Sequence, residues 1–144
     1  MATFKATRVG SPDLKPGPGD AQSLKCAVSQ YSLAGALALN DVIEGPLIPK
    51  GATIVDVMVT ATDLDTGGSP SITLDVGYGV DPDYFVAAST TGQTGGVIRA
   101  GAATAKPLTL TADDTIDVLV KAAPATGATS GTVSIAVFFL PANG

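Results

Sequence analysis

Apolar residues recur at every second position in most stretches of this chain, and the clearest case is residues 71–79. There Ile72, Leu74, Val76 and Tyr78 alternate with Ser71, Thr73, Asp75 and Gly77, the period of a half-buried antiparallel strand. Residues 54–62 repeat the pattern, with Val55, Val57, Val59 and Ala61 on an apolar face and Asp56, Thr60 and Thr62 opposite; Ile54 and Met58 interrupt the polar side. Between these two strands Asp63, Asp65, Gly67, Gly68 and Pro70 are turn formers, predicting a hairpin or a passage between two sheets.

Further strands are predicted on both sides. Residues 22–30 place Leu24, Cys26 and Val28 on the apolar face, with Cys26 read as a small buried hydrophobe. Residues 31–40 fit a strand or an irregular extended segment better than a helix, because Gly35 falls in what would be the first turn. In 41–51 two prolines keep the chain off the centre of a sheet. Short strands follow at 84–88, 97–100 and 107–112. In 115–122 Ile116, Val118 and Val120 point inward and Leu119 does not. In 132–140 Val133, Ile135, Val137 and Phe139 form one face, while Phe138 and Leu140 are apolar on a side that should be polar. No stretch sustains a helical period. About eight strands at roughly 8–12-residue spacing predict an all-β fold, an antiparallel β-sandwich or jelly roll.

Residues 10–20 hold three prolines and three glycines, a linker composition. The domain expectation is therefore an N-terminal arm and linker over residues 1–20, followed by a sandwich over 21–144. Residues 1–9 alternate weakly, and beyond such a joint a segment of this kind suits addition to a neighbour's sheet edge.

Composition narrows function by exclusion. The chain of 144 residues carries a net charge of −5 and no basic run, which argues against nucleic acid and against an anionic membrane surface as partners. A single cysteine permits no internal disulfide, consistent with folding in a reducing cytoplasm. With no histidine, a Ser-His-Asp or Cys-His centre and a His-ligated zinc are both impossible. No glycine-rich phosphate loop is present, and no cofactor is expected. Asp63 and Asp65 resemble the start of a calcium loop, but the twelfth position from Asp63 is Leu74 rather than glutamate. They read as turn residues, as do Asp81 and Asp83. A calcium site assembled from all four at one end of the sandwich is the alternative. The chain lacks tryptophan and has three tyrosines, a poor supply of aromatic platforms for a glycan site, and Tyr78, Tyr84 and Phe85 read as core or loop anchors. Charged residues make up only 15% of the chain and mean hydropathy is +0.36, so part of the surface is expected to meet other protein.

The run over residues 40–85 resembles a pattern in small structural proteins of tailed bacteriophages. It carries Asp41-Val42-Ile43, then Pro49-Lys50-Gly51-Ala52, then DLDTG at 63–67, TLDVG at 73–77 and DPDYF at 81–85. The resemblance implies a non-enzymatic jelly-roll decoration, or cement, protein. Such a protein would sit on the outer head surface of the virion after synthesis in the host cytoplasm. It would clamp adjacent major capsid protein subunits, as a homo-oligomer (dimer or trimer). The contacts expected on this reading are Phe4, Lys5 and Arg8 in the arm and Phe138 and Leu140 on the last strand. The alternatives are a tail, neck or baseplate component with the same sandwich, a carbohydrate-binding surface module, and an aspartate-based hydrolase.

Overall fold

Alternation becomes strand almost throughout the computed structural model, which describes residues 23–142. In chain order the strands are β1 (Lys25–Ser32), β2 (Val42–Ile43), β3 (Leu47–Ile48), β4 (Thr53–Ala61), β5 (Thr73–Tyr78), β6 (Asp81–Ser89), β7 (Gly96–Arg99), β8 (Leu108–Thr109), β9 (Asp114–Thr115), β10 (Asp117–Ala122) and β11 (Thr132–Leu140). One sheet runs β1-β11-β4-β7, with β8 also pairing β4. The second runs β2-β10-β5-β6, and β3 pairs β9 in a small ribbon. All ladders are antiparallel.

Apart from the β3–β9 ribbon and β8, the chain changes sheet at every step save the β5–β6 hairpin, so that the two sheets form an antiparallel sandwich. The passage between β4 and β5 is thus a crossing from one sheet to the other and not a hairpin. The core lies between the sheets. Ile54, Val57, Val59, Val133, Ile135 and Val137 from one side meet Ile72, Leu74, Val76, Ile116, Val118 and Val120 from the other, none more than 1% exposed. These are mostly β-branched residues, which pack well on a pleated surface.

Two phases differ from simple alternation. In β4 the register against β11 shifts between Phe138 and Phe139, so that Asp56 faces Phe138 and Ile54 faces Phe139. Val55 is the extra residue of this bulge. The bulge resets the alternation, which buries Ile54 and leaves Val55 40% exposed. In β1 the expected inward face is the outward one. Pairing with β11 sets Cys26 opposite Phe138 and Val28 opposite Ala136. Cys26 is therefore exposed and not buried, Val28 is 64% exposed, and Ala27 and Ser29 turn toward the interior. The chemical contrast between the two sides of this strand is small, so its phase was set by the partner strand.

Residues 33–41 are irregular, as expected, with Asn40 in the left-handed region at φ 68°. Strand β6 is longer than predicted and includes Pro82, which an edge strand tolerates. Phe85 is buried, and Tyr84 contacts Tyr78 and Phe85 edge to face at 5.6 and 4.9 Å between ring centroids.

The β5–β6 hairpin folds so closely that a Cβ on Gly77 would collide with the Asp81 carbonyl oxygen and the Pro82 carbonyl. The atoms it would meet belong to the backbone, so they cannot swing aside. Gly77→Ala is expected to cost about 1–3 kcal/mol, the usual penalty of overpacking, read as a lower urea midpoint with an unchanged slope. The expected arm, with Phe4, Lys5 and Arg8, lies outside the described residues.

Candidate functional site

The paired aspartates do not assemble a common site. Asp63 and Asp65 precede β5 and Asp81 and Asp83 follow it, so a six-residue strand, roughly 20 Å long, separates the pairs. The cluster of four expected as the calcium alternative is thereby corrected: the strand that joins the two turns also holds them apart. Among the described residues no three His, Cys, Asp or Glu side chains gather as metal ligands.

Asp65 instead ties two loops together. Its carboxylate is 1% exposed. One oxygen accepts the backbone N–H groups of Ser71 at 2.6 Å, Ile72 at 3.1 Å and Ala125 at 2.9 Å; the other accepts that of Thr126 at 2.8 Å. Burial alone would raise its pKa. The four donors outweigh burial and hold it at about 2, below the ordinary 3.8. Asp63 accepts the Asp65 N–H at 2.9 Å, a local Asx turn. At the other end the Asp83 side chain, by hydrogen bonding to Asp81, pushes the Asp81 carboxyl above its usual range, and burial adds to this. The Asp63–Asp65 arrangement is turn chemistry, as expected, whereas Asp81 and Asp83 lie in the first residues of strand β6 and not in the turn.

The surface that departs from an ordinary exterior is the outer side of the β1-β11-β4-β7 sheet. Register aligns Cys26, Phe138 and Asp56 in one row, then Val28, Ala136, Met58 and Arg99, then Gln30, Ser134, Thr60 and Val97. Val28 and Val97 are 64% and 59% exposed at opposite sides of this face. Phe138, Leu140 and Met58 between them are half-buried. Leu140 lies opposite Thr53, whose hydroxyl shares a 2.8 Å hydrogen bond with that of Thr109. Arg99 is held in place: its guanidinium pairs with Asp56 and lies over the Phe138 ring at 6.0 Å. The result is an apolar field with one anchored ion pair, the composition of a protein contact more than of a wet exterior.

Phe138 and Leu140 are thus on one face, as their places in β11 required. Cys26, Val28, Val97 and Arg99 join them there, and sequence reasoning missed all four. Cys26 and Val28 were assigned inward. Val97 and Arg99 reach the face only through pairing of β7 with β4, which no local signal encodes.

No described helix is long and apolar enough to cross a membrane. No family model matches the sequence, and no curated protein is significantly similar to it. Solved structures are. A chain of the capsid of Ralstonia phage GP4 is 34% identical, with 91% of this chain and 92% of that one covered and a TM-score of 0.75. A chain of the capsid asymmetric unit of cyanophage Pam1 is 27% identical, covering 94% and 97%, with a TM-score of 0.81. The acid-stable capsid of Helicobacter pylori bacteriophage KHP30 contains a chain sharing the fold at 18% identity and a TM-score of 0.56, covering 83% and 89%.

Proposed function

Because the chain belongs to the family of the phage capsid chain found in Ralstonia phage GP4, and so is a structural protein of a virion, we propose that it decorates the outside of the head and clamps neighbouring major capsid protein subunits. The observation that carries this reading is the apolar outer face of the β1-β11-β4-β7 sheet, where Val28 and Val97 stand exposed around half-buried Phe138 and Leu140. An isolated sandwich has no use for such a face, and a shell subunit seated on it would remove it from water.

Each copy that bridges two shell subunits makes separation of the lattice cost the whole contact. Binding to the assembled shell and not to free subunits then shifts assembly toward the shell by mass action. Residues 1–20, with Phe4, Lys5 and Arg8, supply a second contact reaching beyond the sandwich. Copies act together on the shell as a dimer or trimer. No step in this role needs a catalytic group.

The test is co-sedimentation of the purified protein with heads that lack it, with isolated tails as control. Saturable binding to heads at a fixed ratio to capsid subunits, with a higher melting temperature of the shell, is the expected result. Retention on tails alone would replace this reading with a tail component. Deleting residues 1–20 is expected to weaken head binding at least about tenfold, the scale of losing one linked contact, and to leave the melting temperature of the domain in place. Undiminished binding of the truncated protein would remove the arm from the contact.

A further inference from the structure

Two edge strands lie along the same open side of the sandwich: β1 at the end of one sheet and β2 at the end of the other. Between them is a groove of about 520 Å³ lined by Gln30, Tyr31, Leu37, Asp41, Val42 and Glu44, with Ile43 at its base. Its lining is mixed: Val42 and Tyr31 stand 56% and 37% exposed beside the polar Gln30, Asp41 and Glu44. Its charge is of one sign. The Asp41 carboxylate accepts the Ala38 N–H at 2.7 Å through one oxygen. Neither Asp41 nor Glu44 belongs to an ion pair among the described residues. The outer edge of β1 also has no strand beside it among the described residues, so its outward backbone N–H and C=O groups are available for a further strand.

What fits this groove is an extended segment that presents an apolar anchor and a cation on one face. Residues 1–9 have that chemistry. With a period of two, Phe4, Ala6 and Arg8 share a face, Lys5 adds positive charge on the other, and the segment has no acidic residue, in a chain whose net charge is −5. We infer that residues 1–9 of one copy dock in the β1–β2 groove of a second copy, linking neighbours on the shell.

The connecting chain favours a second copy over a return to the same one. The described residues begin at Ser23, beside the start of β1, whereas Gln30 and Tyr31 of the groove lie at the strand's far end. Docking within one chain would require residues 10–22 to reverse direction. The length of this stretch sets its reach: 13 residues can bridge at most roughly 45 Å, enough to reach an adjacent domain. Such a link adds no new capsid contact. It makes release of one copy depend on its neighbours, and a high local concentration on the lattice raises the effective affinity. The inference deepens the decoration reading and rests on it only for the purpose of the link, because the link itself can be detected without heads.

The experiment is disulfide trapping in solution and again on heads. In a Cys26→Ser background no native thiol remains. Ala6→Cys is placed in one tagged chain and Val42→Cys in another, separately purified, and the two are mixed at high concentration and oxidised mildly. The expected result is a disulfide heterodimer between residues 6 and 42, confirmed by peptide mass. Asp41→Asn with Glu44→Gln in the groove chain is expected to reduce its yield at least about fivefold, as is 1 M salt, which screens such ion pairs. A control cysteine at Val97, 59% exposed on β7 at the edge of its sheet farthest from β1, is expected to give only background. A heterodimer no more abundant than the Val97 control, or one indifferent to salt and to loss of both carboxylates, overturns the proposal. So does a doubly substituted chain that closes only on itself and remains monomeric. Binding to heads with no such cross-link would retain the decoration role and discard the link. Cross-linking without head binding would do the reverse.

Discussion

Replacing Asp65 with alanine is expected to lower the melting temperature by on the order of 10 °C, because four backbone N–H groups then lose one acceptor inside two packed loops. The loops are residues 62–72, which carry the chain from one sheet to the other, and 123–131, which lead into β11. They are also joined by the Thr66 N–H to the Thr126 carbonyl at 2.9 Å and the Ala128 N–H to the Leu64 carbonyl at 3.0 Å. Leu64 is 1% exposed and belongs to the core, so loosening this junction reaches the sandwich itself. Asp65→Asn keeps one acceptor oxygen but turns a donor toward N–H groups, and should fall between wild type and alanine.

The pH dependence separates charge from shape. The native pKa is about 2 against an ordinary 3.8. The stabilisation from this carboxylate is therefore fully present above the unfolded value and lost as pH falls through the native one. Thermal melts from pH 6 down to pH 2 should show wild type losing stability faster than Asp65→Asn between roughly pH 4 and pH 2. Parallel curves for the two proteins would mean that the carboxylate charge contributes nothing and that the loops are held by packing alone.

The second large effect concerns the outer face. Val28→Glu combined with Val97→Glu is expected to reduce head binding by about 100-fold or more, since each carboxylate must be dehydrated against an apolar partner. Both side chains are more than half exposed in the isolated chain. The melting temperature should therefore move by no more than about 2 °C, in keeping with surface substitutions. Co-sedimentation and a thermal melt of the same preparation read the two quantities together. A double variant that binds heads like wild type would exclude this face from the contact and move attention to the opposite sheet, where Val42 and Leu119 pair in register. Phe138 is a less clean probe, because its ring also supports Arg99 and through it Asp56.

Much of the architecture was legible from side-chain period alone. Residues 71–79, 115–122 and 132–140 alternate strongly, and Leu74, Val76, Val118, Val120, Val133, Ile135 and Val137 are buried as that period requires. A one-residue error would move each of these sets into water, so burial fixes their phase. Gly67, Gly68 and Pro70 mark the loop between β4 and β5 as their local backbone restrictions require, whereas Pro82, read as a turn residue, lies in β6. The absence of histidine removed whole reaction classes without any structure.

Where local contrast is weak or a partner strand intervenes, tertiary structure decided. Cys26 and Val28 face outward because β1 pairs with β11 at the Cys26–Phe138 register, and either side of this edge strand was chemically acceptable. Ile54 is buried because a bulge opposite Phe138 shifts β4 by one position, and inserting a residue in one strand is a property of the pair. Asp65 looked like any turn aspartate. Only the return of residues 125 and 126 brings it four donors. The sequence by itself determined an all-β sandwich with few charged residues, because period, turn chemistry and composition act over a few residues. Which apolar residues remain outside, and how they gather into one face, was decided by strand pairing over distances of 35 to 114 residues, where no local preference has a vote.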